Sequence, residues 1–229
     1  MSERHDAEER RDETASARLD PAVLQRLPPD FQKAVDFHGH LCPGLTIGYR
    51  ASKIAMERLR VARGTDEELF GLVETDACGS DAFQVITGCT IGRGNLVFKD
   101  YGKQVFTLVR RADGRGIRVA MKYGALPPNP AYAELRQRVM AGLATPEERE
   151  EFRRLHLEQA LQLLDLPEEQ FATVRQVEVE PPPKARILPS VQCAFCGEAV
   201  MEPRARLRDG KPTCIPCAVK HGRGWEINV

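Results

Sequence analysis

Apolar side chains along the chain fall into short periodic runs that predict a set of helices and strands. The first 18 residues are almost wholly charged and polar, and they predict a solvated, disordered tail that lacks the apolar surface to offset the entropy of ordering. A short helical run follows over 31–37. A longer one covers 45–61, where Leu45, Ala51, Ile54, Ala55 and Leu59 gather on one broad face, with Pro43-Gly44 marking the start and Arg63-Gly64 the end. Residues 69–75 and 95–98 read as strands, and between them 80–87 reads as a helix with Ser80 as its cap. Residues 104–110 and 117–121 alternate on either side of Ala112-Asp113-Gly114, which predicts a β-hairpin. Two helices are expected next, over 130–141 and 145–164. The second opens with Thr145-Pro146-Glu147-Glu148, where cap, first-turn proline and early acids agree. A last strand is expected over 171–179. Strands and helices do not alternate regularly, so the predicted class is α+β rather than a doubly wound sheet.

Pro181-Pro182-Pro183 is a stiff, extended spacer. It separates an expected core domain (19–180) from a small C-terminal domain (190–229), with 181–189 as linker. Lys+Arg and Asp+Glu both number 33, and this balance makes nucleic acid and membrane surfaces unexpected as partners. The N-terminus lacks the apolar stretch of a secretory signal, and no apolar run approaches the roughly 20 residues that span a bilayer. The expected location is therefore the cytoplasm, where seven cysteines point to metal or redox chemistry rather than disulfides.

Four of those cysteines form two C-x-x-C knuckles, Cys193/Cys196 and Cys214/Cys217, separated by residues 197–213. Each knuckle sets two thiolates on one side of a tight turn, and the intervening segment is long enough for a hairpin to unite the pairs. Four thiolates close a tetrahedron around Zn2+ and leave no place for substrate, so this site is expected to be structural. The competing reading, two redox dithiols, requires a βαβ context that the pattern lacks. His221 follows the last knuckle and is expected on the surface rather than as a ligand.

The other concentration of chemistry is Phe37-His38-Gly39-His40-Leu41-Cys42-Pro43-Gly44, two imidazoles and a thiol just before a helix. A thiol at a helix start is expected to have its pKa lowered by unpaired amides. Thiolate and imidazole together suit zinc, iron or another late transition metal. Two more cysteines, Cys78 and Cys89, lie in loop-like settings, with Asp81 close to the first. Gly92-Arg93-Gly94-Asn95 lacks the Lys and Ser/Thr of a P-loop and reads as a turn before a strand.

At these residues the chain resembles the FmdE family, named after the FmdE component of formylmethanofuran dehydrogenase. The resemblance rests on the 37–44 motif, on Glu74-Thr75-Asp76-Ala77-Cys78 with Asp81-Ala82-Phe83-Gln84, and on Thr87-Gly88-Cys89-Thr90. It continues through Gly94-Asn95-Leu96 to Asp100-Tyr101-Gly102-Lys103. The four-cysteine module resembles the DksA/TraR treble-clef zinc finger. The resemblance implies an α+β core, a homodimer, and a cleft beside the His-x-His-x-Cys loop. It makes His38, Cys42 and Cys78 the ligands of a second transition metal, with His40, Asp81 and Cys89 next to them. The expected function is a metal-binding accessory protein serving a molybdenum or tungsten oxidoreductase, which would be its metalloenzyme partner. Two alternatives stand beside it. One is an enzyme acting on a small molecule, either through a Lewis-acidic metal with His40 or Asp81 moving protons, or through Cys42, Cys78 or Cys89 as thiol catalyst. The other is a zinc-finger regulator or interaction protein.

Overall fold

The computed structural model describes residues 20–220, so the expected 1–18 tail and His221 lie outside the described residues. The chain divides into two compact units after Lys184. The first holds α1 (Pro21–Arg26), α2 (Pro29–His38), α3 (Pro43–Leu59), β1 (Leu69–Val73) and α4 (Gly79–Thr87). It continues with β2 (Leu96–Phe98), β3 (Val105–Arg110), β4 (Arg115–Met121), α5 (Pro130–Met140), α6 (Pro146–Asp165), α7 (Glu168–Phe171) and β5 (Ala172–Glu178). The short helices α1 and α7 have no counterpart in the sequence prediction; both are too short to show a helical period.

One mixed sheet of order β2-β1-β3-β4-β5 forms the floor of this unit. Only β1 and β2 run parallel, and α4 is the crossover that this pairing demands; the other pairs are antiparallel. Register sorts the side chains by face. Val73 sits opposite Phe106, Phe106 opposite Val119, and Leu108 opposite Ile117, so these alternate residues line one side. There they meet Ile47, Ala51, Ile54 and Ala55 of α3 in a common buried cluster. Phe106 and Leu108 are fully buried, and each such side chain contributes roughly 1.5–3 kcal/mol of transfer free energy. Helices α4 and α6 pack against α3 in turn. The unit is thus α+β, with its helices stacked on the sheet.

Local chemistry explains several boundaries. Thr145 and Glu148 form a reciprocal capping box: Glu148 N donates to Thr145 Oγ1 at 3.2 Å, and Thr145 N to Glu148 Oε2 at 2.8 Å. Helix α3 ends earlier than the Arg63-Gly64 signal, because Arg60 already adopts the left-handed conformation at φ 53°. Ser80 does not cap α4; its hydroxyl donates instead to Thr75 O at 2.7 Å, and Cys78 occupies the cap position.

The second unit is described by itself. It contains two small hairpins, β6 (Ser190–Gln192) with β7 (Ala199–Met201) and β8 (Arg206–Arg208) with β9 (Lys211–Thr213). A 3-10 turn at Glu202–Arg204 lies between the hairpins, and helix α8 (Ile215–Lys220) follows. Hairpins followed by a short helix, with one cysteine knuckle in the β6–β7 turn and the other at the start of α8, make a zinc-finger-type region.

Candidate metal centre

Three elements converge to bring soft ligands together. His38 is the last residue of α2, which stops because Gly39 takes φ 93°, a conformation glycine adopts without steric cost. Cys42 then caps α3, and its Sγ accepts a hydrogen bond from Leu45 N at 3.3 Å. Cys78 caps α4. The two capped helices approach so closely that a Cβ on Gly48 would lie 2.0 Å from Gly79 O. The same contact presses Gly44 against the thiols, where a Cβ would lie 3.2 Å from Cys78 Cβ and 3.9 Å from Cys42 Sγ.

The ligating atoms of His38, Cys42 and Cys78 all lie within 4.8 Å of one another, and His38 Nε2 is 3.9 Å from Cys42 Sγ. A tetrahedral zinc with ordinary Zn–S and Zn–N bonds separates its ligand atoms by roughly 3.6–3.8 Å. Small side-chain rotations therefore close the set around an ion. Asp81, in the first turn of α4, holds His38 Nδ1 at 2.7 Å and so turns Nε2 towards the thiols. A carboxylate behind a histidine in this way is the usual support of a metal-ligating imidazole. The residues fit a transition metal with three protein ligands and one open position.

Electrostatics differ from the sequence expectation for Cys42. The Leu45 amide does favour its thiolate, but the hydrogen bond to Cys78 and burial outweigh that amide, and the Cys42 pKa is raised. Cys78 is the thiol that ionises first, pulled down to about 6 by the hydrogen bond from Cys42 against the opposing cost of burial, with His38 assisting. His40 stacks obliquely on His38 with ring centroids 4.6 Å apart, and burial together with His38 lowers its pKa.

Cys89 is not brought to this cluster. It lies beyond the far end of α4, about 13 Å along that helix from Cys78, fully buried among apolar side chains such as Phe83. Burial pushes its pKa up to about 11, as expected of a cysteine used as a small hydrophobe.

Sequence reasoning left α5 and α6 without a role, yet they carry Tyr132 and His156. The Tyr132 hydroxyl is 2.7 Å from His156 Nδ1, and both rings stack with Phe152. His156 is drawn down to about 4, first by burial and then by His40 and Arg136. The available signal was a histidine within the buried stripe Phe152-His156-Ala160 at helical spacing.

In the second unit, the ligand atoms of Cys193, Cys196, Cys214 and Cys217 also lie within 4.8 Å of one another. Cys196 Sγ and Cys214 Sγ are 3.8 Å apart, the spacing of a tetrahedral tetrathiolate. Cys193 Sγ accepts from Cys214 N at 3.3 Å, and the amides of Cys196, Cys214 and Phe195 hold its pKa down to about 6. Four ligands of this kind suit structural zinc.

Known proteins share both regions. Residues 37–173 match the family model described as "FmdE, Molybdenum formylmethanofuran dehydrogenase operon". The chain belongs to the FmdE family. Residues 186–221 match the prokaryotic dksA/traR C4-type zinc finger, which holds the second cysteine set. A relative from Archaeoglobus fulgidus, named "Probable S-adenosyl-L-methionine-binding protein", is 34% identical over 206 residues. The match covers 84% of this chain but only 54% of the relative, so this FmdE chain spans about half of that protein's length. The fold is shared with a crystal structure of a tungsten formylmethanofuran dehydrogenase FmdE-like protein from Syntrophus aciditrophicus. That likeness has a TM-score of 0.53 at 24% identity and covers 85% of this chain and 92% of the other. Among the described residues, no helix is long and apolar enough to cross a membrane.

Proposed function

We propose that this FmdE protein is a metal-binding accessory factor of a molybdenum- or tungsten-dependent oxidoreductase system, carrying a transition metal at His38, Cys42 and Cys78. The observation that supports this most is the incomplete soft-ligand set, with Asp81 orienting His38 and room for one exchangeable ligand. A metal held by three protein ligands can be passed on or can bind a partner's group, whereas the C4 set is closed. The oxidoreductase link draws on the family description and on the name of the Syntrophus aciditrophicus protein. In this reading the chain is a cytoplasmic homodimer whose partner is the metalloenzyme it serves. S-adenosylmethionine binding is not carried over, because nearly half of the relative so named lies outside the match.

A second reading, an enzyme on a small molecule, draws on the neutral imidazoles beside the triad. When bound, the metal would supply Lewis acidity; His40 would hold or release a proton at its ring nitrogens, and Asp81 would keep His38 in place. Elemental analysis of full-length protein purified without oxygen tests the centre common to both readings. Two metals per chain are expected, falling to one in His38→Ala and Cys42→Ser. One metal per chain in the unmodified protein would remove both readings, leaving the zinc finger.

A further inference from the structure

Two of the three ligands in the core are thiols, and as a pair they have chemistry beyond ligation. Cys42 and Cys78 cap the neighbouring helices α3 and α4, and both are free. Their sulfurs lie within 4.8 Å of each other. The helix starts are close as well: a Cβ on Gly44, in the first turn of α3, would lie 3.2 Å from Cys78 Cβ and 3.5 Å from its Sγ. A disulfide joins its sulfurs at about 2.0 Å, and side-chain rotation is the movement that closes the remaining gap. Access to the two differs. Cys42 is only 3% exposed, whereas Cys78 is half-buried, so a small solute meets Cys78 first with Cys42 as its buried neighbour.

Among the described residues, no other thiol competes for this pairing. Cys89 is packed with Phe83 and Leu96 in the sheet-side cluster, and the four knuckle cysteines make up their own set. A disulfide and a metal also exclude one another here. Two thiolates on one tetrahedral zinc stand about 3.8 Å apart, far beyond bonding distance. Joined sulfurs carry no negative charge and cannot serve as the thiolate ligands a zinc site needs. Of the three protein ligands only His38 would then remain, and one imidazole is too few to retain the ion.

We propose that Cys42 and Cys78 form a reversible disulfide when a peroxide oxidises the metal-free centre, and that this bond bars metal from the core until a dithiol reduces it. The metal half of this rests on reading the triad as a metal centre. Cys78, as thiolate, attacks one peroxide oxygen and breaks the O–O bond, leaving a sulfenic acid on Cys78 and a hydroxide that takes up the proton Cys78 released. The Cys42 sulfur then attacks the Cys78 sulfur. The S–S bond forms, and the sulfenic oxygen leaves as water with the Cys42 proton. Two electrons pass from the thiol pair to the peroxide, which ends as two waters. A dithiol reverses the bond by exchange and is itself left as a disulfide.

The test treats full-length protein, its core emptied by a chelator, with an equimolar amount of hydrogen peroxide. Peptide mapping without reductant should recover Cys42 joined to Cys78, with two hydrogens lost from the intact mass. Zinc added back should fill the core of the oxidised protein roughly tenfold less than that of the reduced protein, and dithiothreitol should restore uptake. Cys42→Ser lacks the second thiol and should accumulate a Cys78 sulfenic acid that dimedone traps, whereas Cys89→Ser should cross-link like the unmodified protein. A sulfenic acid that persists on Cys78 in the unmodified protein would overturn the proposal. So would a cross-link to Cys89 or to a knuckle cysteine in its place, or full core zinc after cross-linking. Reduced protein that takes up no second zinc would instead overturn the metal reading itself, a failure seen before any peroxide is added.

Discussion

Gly48→Ala places one methyl group where two helices touch. Its Cβ would lie 2.0 Å from Gly79 O, 2.4 Å from Gly79 Cα and 2.5 Å from Gly79 C, all backbone atoms that cannot swing aside as a side chain would. Relief therefore requires α3 and α4 to move apart by about 1 Å, since a carbon–oxygen contact below 3.0 Å is essentially never tolerated. Overpacking of this kind costs about 3 kcal/mol. Alanine's better helix propensity returns about 1 kcal/mol at a mid-helix position, so the net loss is about 2 kcal/mol. For a unit of this size that lowers Tm by about 4–8 °C. Cys42 and Cys78 cap the two displaced helices, and a metal site tolerates only a few tenths of an ångström in ligand distance, so the core metal is lost first. Thermal unfolding by circular dichroism and metal content per chain measure both effects. A variant that melts within about 2 °C of the parent and keeps both metals would show that the helix contact neither limits packing nor positions the thiols.

Asp81→Asn should weaken core metal binding about 10- to 100-fold in a chelator competition, while the C4 zinc stays bound, because only His38 loses its orienting carboxylate. In protein stripped of its core metal, alkylation with peptide mapping should find Cys78 modified before Cys42 and Cys89, at a rate that rises through about pH 6; equal rates would remove the assigned asymmetry. Because the folded pKa of Cys78 is depressed, its contribution to stability is fully present above the unfolded thiol value of about 9 and is lost as pH falls through about 6. Urea unfolding of the metal-free protein should therefore gain stability between those values, and Cys78→Ser should flatten that rise. Cys89→Ser puts a hydroxyl into an apolar site and should cost about 1–3 kcal/mol without changing metal content, whereas a lost metal would return Cys89 to the site. Chelation of the C4 zinc should abolish hydrogen-exchange protection in β8, β9 and α8 while the five-stranded sheet stays protected.

Features legible in the chain alone were local. The Thr145 capping box, the hairpin around Asp113, and the two C-x-x-C knuckles depend on residues a few positions apart, and backbone geometry forces such neighbours together. The α+β class followed from the order of periodic runs, and the FmdE resemblance from contiguous motifs. Which distant residues meet was settled by folding. Cys78 reaches His38 and Cys42 because three helix ends converge over the Gly48–Gly79 contact, whereas Cys89, which the resemblance set beside them, is carried to the opposite end of α4 and into the core. Tyr132 and His156 meet only through the packing of α5 on α6, which no spacing in the chain encodes. The order in which the thiols ionise was hidden for the same reason. A helix start acts through the next three residues, but burial and the Cys42–Cys78 hydrogen bond are long-range terms that exist only in the folded chain.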